Sequence, residues 1–146
     1  MTPFRFRLQR VLAFRQVQFQ VAESEYHQAE TRLHAIQAQY AALAAMKSET
    51  RNSVARLPIV AGRILEPLTY WFHWTETEAY RLMKLEQALK LEVQKRREAL
   101  VVAQRNVRLL EKLHDNRHAE WQSAFDREIE EIAADSINSR YVRDRL

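Results

Sequence analysis

The chain has no cysteine, which excludes disulfide staples and thiolate metal sites and gives no sign of an oxidising compartment. Gly62 is the only glycine, so glycine-rich phosphate loops and dinucleotide-binding turns have nowhere to form. Proline occurs three times, at Pro3, Pro58 and Pro67, and the last two bracket the glycine. No apolar run approaches the ~18 residues of a membrane span. The opening residues are rich in arginine and phenylalanine and contain no apolar stretch of secretory-leader length, so the expected location is the cytoplasm. No serine sits in a nucleophile elbow and no catalytic constellation is recognisable. The expectation is a protein that is not an enzyme and holds no cofactor.

Glycine and proline are the strongest interrupters of regular structure. Their confinement leaves two long breaker-free stretches, about residues 4–57 and 68–146. Alanine, leucine, glutamine, arginine and glutamate dominate, the composition of long helices and coiled coils. Steps of alternately three and four residues from Leu8 visit Leu12, Arg15, Phe19, Ala22, Tyr26, Ala29, Leu33, Ile36, Tyr40 and Leu43, and only Arg15 is polar. Such a sustained repeat predicts a coiled-coil seam and not merely an amphipathic helix. It weakens at Lys47 and Thr50 and returns at Val54 and Leu57. A second seam runs Ala79, Leu82, Glu86, Leu89, Val93, Arg96, Leu100, Ala103, Val107 and Leu110. It lapses at His114 and Arg117 and resumes, with wider spacing, at Trp121, Phe125, Ile129 and Ile132.

The expected fold class is all-α, an antiparallel two-helix coiled-coil hairpin, as a single domain over residues 1–146. The expected helices cover about residues 7–56 and 68–143, with a connector over about 57–67. Thr75 and Glu78 have capping-box spacing and Pro67 suits a first helical position, so the start of the second helix stays open between them.

The net charge is +4, with a pI near 9.6. Arg5, Arg7, Arg10 and Arg15 precede the first acid, Glu23, whereas Glu120, Asp126, Glu128, Glu130 and Glu131 form an acidic stretch. A chain folded back on itself brings these two stretches together, where they partly compensate; the cationic tip also suits an acidic partner. Runs such as Lys95-Arg96-Arg97-Glu98 mix signs and read as a solvated face, with no basic surface for nucleic acid.

His114 and His118 have the i, i+4 spacing of a helical metal pair, but Asp115 stands where a metalloprotease helix has glutamate, and no third ligand is near. They read as solvated or seam-adjacent histidines, as do His27 and His34. The run Tyr70-Trp71-Phe72-His73-Trp74 cannot all face one narrow partner helix. Exposed anchor rings and a cap over the bend are equally good readings of it, and Leu57, Ile59, Val60, Ile64 and Leu65 add apolar surface nearby. Phe4-Arg5-Phe6-Arg7-Leu8 reads best as a segment tied down by its phenylalanines, which are expected to cover Trp121, Phe125 and Ile129.

The opening Phe4-Arg5-Phe6-Arg7-Leu8-Gln9-Arg10-Val11-Leu12, followed by Arg15, resembles the N-terminus of the flagellar FliJ family. Leu110-Glu111-Lys112-Leu113 and the run Asp126-Arg127-Glu128-Ile129-Glu130-Glu131-Ile132-Ala133 resemble its C-terminal region. The sequence departs from the family pattern in its aromatic, proline-bearing bend and in Ala134-Asp135-Ser136 after the acidic pair. The resemblance implies a coiled-coil stalk and chaperone component of the flagellar type III export machinery. It also implies that the terminal end engages the export ATPase ring, while other surfaces contact the export gate and substrate chaperones. The residues expected at the ring are Phe4, Arg5, Arg7, Arg10, Asp126, Glu130 and Glu131; those expected at the gate are Tyr40, Leu43, Trp71 and Trp74. The implied place is the cytoplasm, with association at the cytoplasmic face of the inner membrane only through these partners. The residues alone leave open a self-associating structural coiled coil unrelated to export.

Overall fold

The computed structural model describes residues 2–59 and 62–143. Two helices account for nearly all of them: α1, Gln9–Ala55, with 47 residues, and α2, Gly62–Arg143, with 82. There is no strand among the described residues. The structure is therefore all-helical, as the scarcity of breakers requires.

Residues 2–6 precede α1 without regular structure, and the helix is entered through a Gln9 N–H donating to the Phe6 carbonyl at 3.1 Å. At its other end, Leu57 N–H donates to the Val54 carbonyl at 3.2 Å, an i to i−3 bond that tightens the last turn. Pro58 follows directly, and the residue before a proline avoids helical backbone, so the chain leaves the helix there. These limits lie within two residues of the expected ones, the usual uncertainty of helix ends.

The second helix departs from expectation. It begins at Gly62, so neither Pro67 nor Thr75 starts it, and the connector is shorter than residues 57–67. Pro67 lies inside the helix, one turn further than its ring and missing N–H are tolerated freely. It has no donor for the carbonyl of Arg63, four residues back; both residues are exposed, so water can replace the lost partner. Thr75 caps nothing. Its hydroxyl donates to the Phe72 carbonyl at 2.7 Å and the residue is 1% exposed, so it serves as a small, internally satisfied packing residue. Val60, expected to add to the apolar surface near the bend, lies outside the described residues. At the far end, Arg140 and Arg143 stand in the last turn of α2, where cations complement the helix dipole.

The chain divides into two compact units: one is Val21–Val101, and the other joins the chain up to Gln20 with the stretch from Val102 onward. In the central unit, Ala29, Leu43 and Leu82 are buried, and Ala22, Tyr26, Leu33, Ile36, Leu89, Val93 and Leu100 are half-buried. These covered residues recur at spacings of three, four and seven. Lys47 and Thr50, where the apolar repeat lapses, are also half-covered, because a long stem or a small side chain can occupy a seam with its polar end turned outward. Polar links join α1 to α2 at Glu25–Arg96 (2.8 Å), Arg32–Glu92 (3.5 Å), Gln37–Glu86 (3.2 Å) and Lys47–Glu76 (3.6 Å). As the α1 partner advances, the α2 partner recedes.

In the other unit, Leu12 and Val107 are buried and Phe19, Trp121 and Phe125 half-buried. No helix among the described residues is long and apolar enough to cross a membrane.

Candidate functional site

The segment before α1 alternates: Phe4 and Phe6 are half-buried, whereas Pro3, Arg5 and Arg7 are exposed. Where backbone is extended, successive side chains point opposite ways, so the alternation of phenylalanine with arginine in the sequence becomes an apolar and a cationic side. The apolar side lies on α2. Phe4 meets His114 and His118 edge-on, with ring centroids 5.4 and 5.1 Å apart, and Phe6 meets His114 at 5.1 Å. Trp121 Nε1–H donates to the Thr2 carbonyl at 3.1 Å and pins the segment at its start.

This placement corrects the expectation that the two phenylalanines cover Trp121, Phe125 and Ile129. Phe4 does reach Trp121, at 6.1 Å, but both rings sit mainly on the two histidines, and Ile129 is 49% exposed. Trp121 stacks instead on Phe125, its neighbour one turn along α2, at 5.4 Å. His114 and His118 therefore act as aromatic partners in edge-to-face contacts with the phenylalanines. No group of three or more metal-ligating side chains converges among the described residues. Their i, i+4 spacing was visible in the sequence, but only the segment before α1, a strap laid on α2, reveals what the two rings contact.

Phe4, Phe6 and Leu8 from the strap, with Leu113 of α2, line a groove of about 470 Å³, and Arg5, Arg7 and Arg117 complete its wall. Arg117 pairs with Glu120 at 2.9 Å, both largely exposed. Arg5, Arg7 and Arg10 have no ion-pair partner among the described residues. Nor do Asp126, Glu130 and Glu131. Arg5, Arg7 and Arg10 therefore make no ion pair with Asp126, Glu130 or Glu131. The reason is register: Thr2 already lies at Trp121, more than a helical turn short of Asp126. Of the residues expected at the ring, Phe4, Arg5 and Arg7 line one groove, Arg10 is exposed on α1 outside that lining, and Asp126, Glu130 and Glu131 stand apart on exposed α2 surface.

The residues expected at the gate belong to the central unit. Leu43 is 8% exposed and packs in the seam, so it offers little surface for a direct contact; Tyr40 and Trp74 are 41% and 46% exposed. Tyr40 and Leu43 line a hollow of about 290 Å³ with Lys47, Arg51 and Thr75 among its walls. The aromatic run is helical throughout, so 100° steps distribute its rings. Trp71 and Phe72 are half-buried, edge-to-face at 5.1 Å, while Tyr70 and Trp74 are exposed. The run thus divides into two partly covered rings and two exposed ones.

Electrostatic tuning in the central unit is modest. The Gln37 amide and then the Lys90 ammonium hydrogen-bond to Glu86 and hold its carboxyl below the usual range. Arg81 does the same for Glu78, with which it shares a short ion pair at 2.5 Å. The Tyr26 hydroxyl donates to Glu30 at 3.1 Å, which raises the tyrosine above its ordinary value. None of these groups sits beside a nucleophile or in a closed cleft; they are surface links that position side chains along the seam. No family model, curated protein or solved structure matches this chain.

Proposed function

We propose that the chain is a non-enzymatic coiled-coil stalk and chaperone component of the flagellar type III protein export apparatus. In this reading it is an antiparallel two-helix hairpin that works in the cytoplasm and reaches the inner membrane only through its partners. Its terminal end binds the export ATPase ring, and a surface around Tyr40, Trp71 and Trp74 contacts the export gate. It hydrolyses nothing and couples one partner to the other.

The antiparallel pairing is supported by the cross-helix links of the central unit, whose α2 partners recede from Arg96 to Glu76 as α1 advances from Glu25 to Lys47. The seam explains why such a hairpin suits a stalk: a continuous zipper resists bending along its length. The observation that carries the functional reading is the strap. Its phenylalanines are spent on α2, and its arginines, without an ion-pair partner among the described residues, are exposed. An uncompensated cationic end is a ready docking surface for an acidic partner.

Co-purification from native cells tests this. The tagged chain is expected to bring down a hexamer-forming ATPase, and charge reversal at Arg7 and Arg10 is expected to weaken that association. Unchanged association would remove the ring assignment from the strap. A second reading, a self-associating scaffold unrelated to export, draws on the exposed Val11, Phe14 and Val17 of α1, which are 42%, 59% and 56% accessible. Light scattering separates the two: the stalk is a monomer at micromolar concentration, and the scaffold a stable dimer or larger.

A further inference from the structure

The groove beside the strap combines features that an ion-binding patch and a simple packing defect do not share. Its floor is apolar, made of Phe4, Phe6, Leu8 and Leu113, and its volume of about 470 Å³ suits one or two large side chains. Its wall carries the guanidinium groups of Arg5, Arg7 and Arg117. Arg5 and Arg7 have no ion-pair partner among the described residues, and the Arg117–Glu120 pair is 62% and 65% exposed, weak enough to exchange. The chain's own acids at Asp126, Glu130 and Glu131 make no ion pair with these arginines.

We propose that this groove seats an acidic, apolar peptide segment of a partner protein. The segment's carboxylates engage Arg5, Arg7 and Arg117, and an aromatic or branched aliphatic side chain rests on Phe6 and Leu113. The proposal rests on the reading of the terminal end as the docking end and names the chemistry that end recognises. Arginine forks match carboxylates in bidentate fashion, which fixes orientation as well as sign. The apolar floor sets the rest of the preference: a bare anion leaves it wet, whereas a peptide with alternating acidic and apolar residues covers it while its charges reach the rim. The strap itself alternates half-buried phenylalanine with exposed arginine, so a strand-like partner can present matching sides along it.

The test uses the full-length chain and a short fluorescein-labelled peptide of alternating glutamate and leucine or phenylalanine, read by fluorescence anisotropy at low salt. Binding is expected to weaken as salt rises, since the contacts are exposed at the rim. The double variant Arg5→Glu/Arg7→Glu is expected to lose at least about tenfold in affinity. It should also gain affinity for the matching peptide with lysine in place of glutamate. Helical circular dichroism and Trp121 emission in a Trp71→Phe/Trp74→Phe background report whether strap and helices are intact in each variant. The variant Arg5→Gln/Arg7→Gln, which adds no acid to the strap, should also bind the acidic peptide more weakly. Equal affinity of the acidic peptide for wild type and both variants would overturn the proposal. So would equal affinity for polyglutamate, which lacks apolar side chains, or displacement by inorganic phosphate at the same concentration as unlabelled peptide. Co-purification of the ATPase, run in parallel, separates the two readings. If the ATPase is retained and the peptide does not bind, the groove assignment alone fails. If the peptide binds and no ATPase is recovered, the ring reading alone fails.

Discussion

Replacing Leu82 with alanine removes most of a side chain that is 3% exposed, in a seam with few buried residues to share the load. The transfer of the deleted carbons back to water, together with the space left behind, costs about 2–5 kcal/mol in compact cores. A two-helix seam can close partly around a lost side chain, so the lower part of that range applies, about 2–3 kcal/mol. The control lies on the same helix: Leu91 is 67% exposed, and Leu91→Ala should change stability by no more than about 0.5 kcal/mol. Urea unfolding followed by circular dichroism gives both values on one scale. A midpoint drop for Leu82→Ala with an unchanged slope is the expected result. Equal effects of the two substitutions would refute the assignment of Leu82 to a buried seam and, with it, the packing of α2 in the central unit.

Other perturbations follow from particular contacts. Gly62 has open space where a Cβ would go and no positive φ, so Gly62→Ala should raise the thermal midpoint, with a gain of about 0.5–1 kcal/mol. Pro67→Ala returns a donor to the Arg63 carbonyl and should also stabilise, by up to about 3 kcal/mol, as measured in the same melt; destabilisation would mean that the proline is needed where it stands. A double-mutant cycle on Glu25 and Arg96, paired at 2.8 Å and nearly half exposed, should yield a coupling of about 0.2–1 kcal/mol that fades with salt. Glu86 and Glu78 are held below the ordinary carboxylate value of 4.5, so each contributes stability that is present above that value and lost as pH falls through its lowered folded value. Glu86→Gln should therefore flatten the acid side of the urea-midpoint profile below 4.5, and an unchanged profile would show that the Gln37 bond does not persist in solution.

The helical architecture was legible because the relevant signal is local. Breakers are confined to Pro3 and the stretch from Pro58 to Pro67, and the three-four repeat from Leu12 to Leu43 matches the covered positions along α1 almost residue for residue. The second helix start was not legible. Local preference put it at a proline or a capping threonine, but burial of Leu68, Trp71, Phe72 and Thr75 favours carrying helix back through Pro67. Register across helices escaped for a different reason. Periodicity tells which face is covered, not which residue lies opposite, so Phe4 and Phe6 were placed on Trp121 and Phe125 instead of mainly on His114 and His118. The same shift leaves Arg5, Arg7 and Arg10 without the acids expected beside them. Among the candidate contact residues, Leu43 could be recognised as a seam position from its spacing, and its 8% exposure shows that this role takes most of its surface.

The pairing of the helices can be tested without disturbing any natural thiol, because the chain has none. Gln37 and Glu86 meet across α1 and α2 at 3.2 Å. A Gln37→Cys/Glu86→Cys variant treated with a short bis-maleimide, whose spacer replaces the reach of the two long side chains, should give a cross-link within one molecule, visible as a faster-migrating monomer. A Gln37→Cys/Leu100→Cys variant, about four turns out of register, should remain unlinked under the same conditions. Cross-linking only between molecules, or equal cross-linking of both variants, would contradict the hairpin on which the proposed stalk depends.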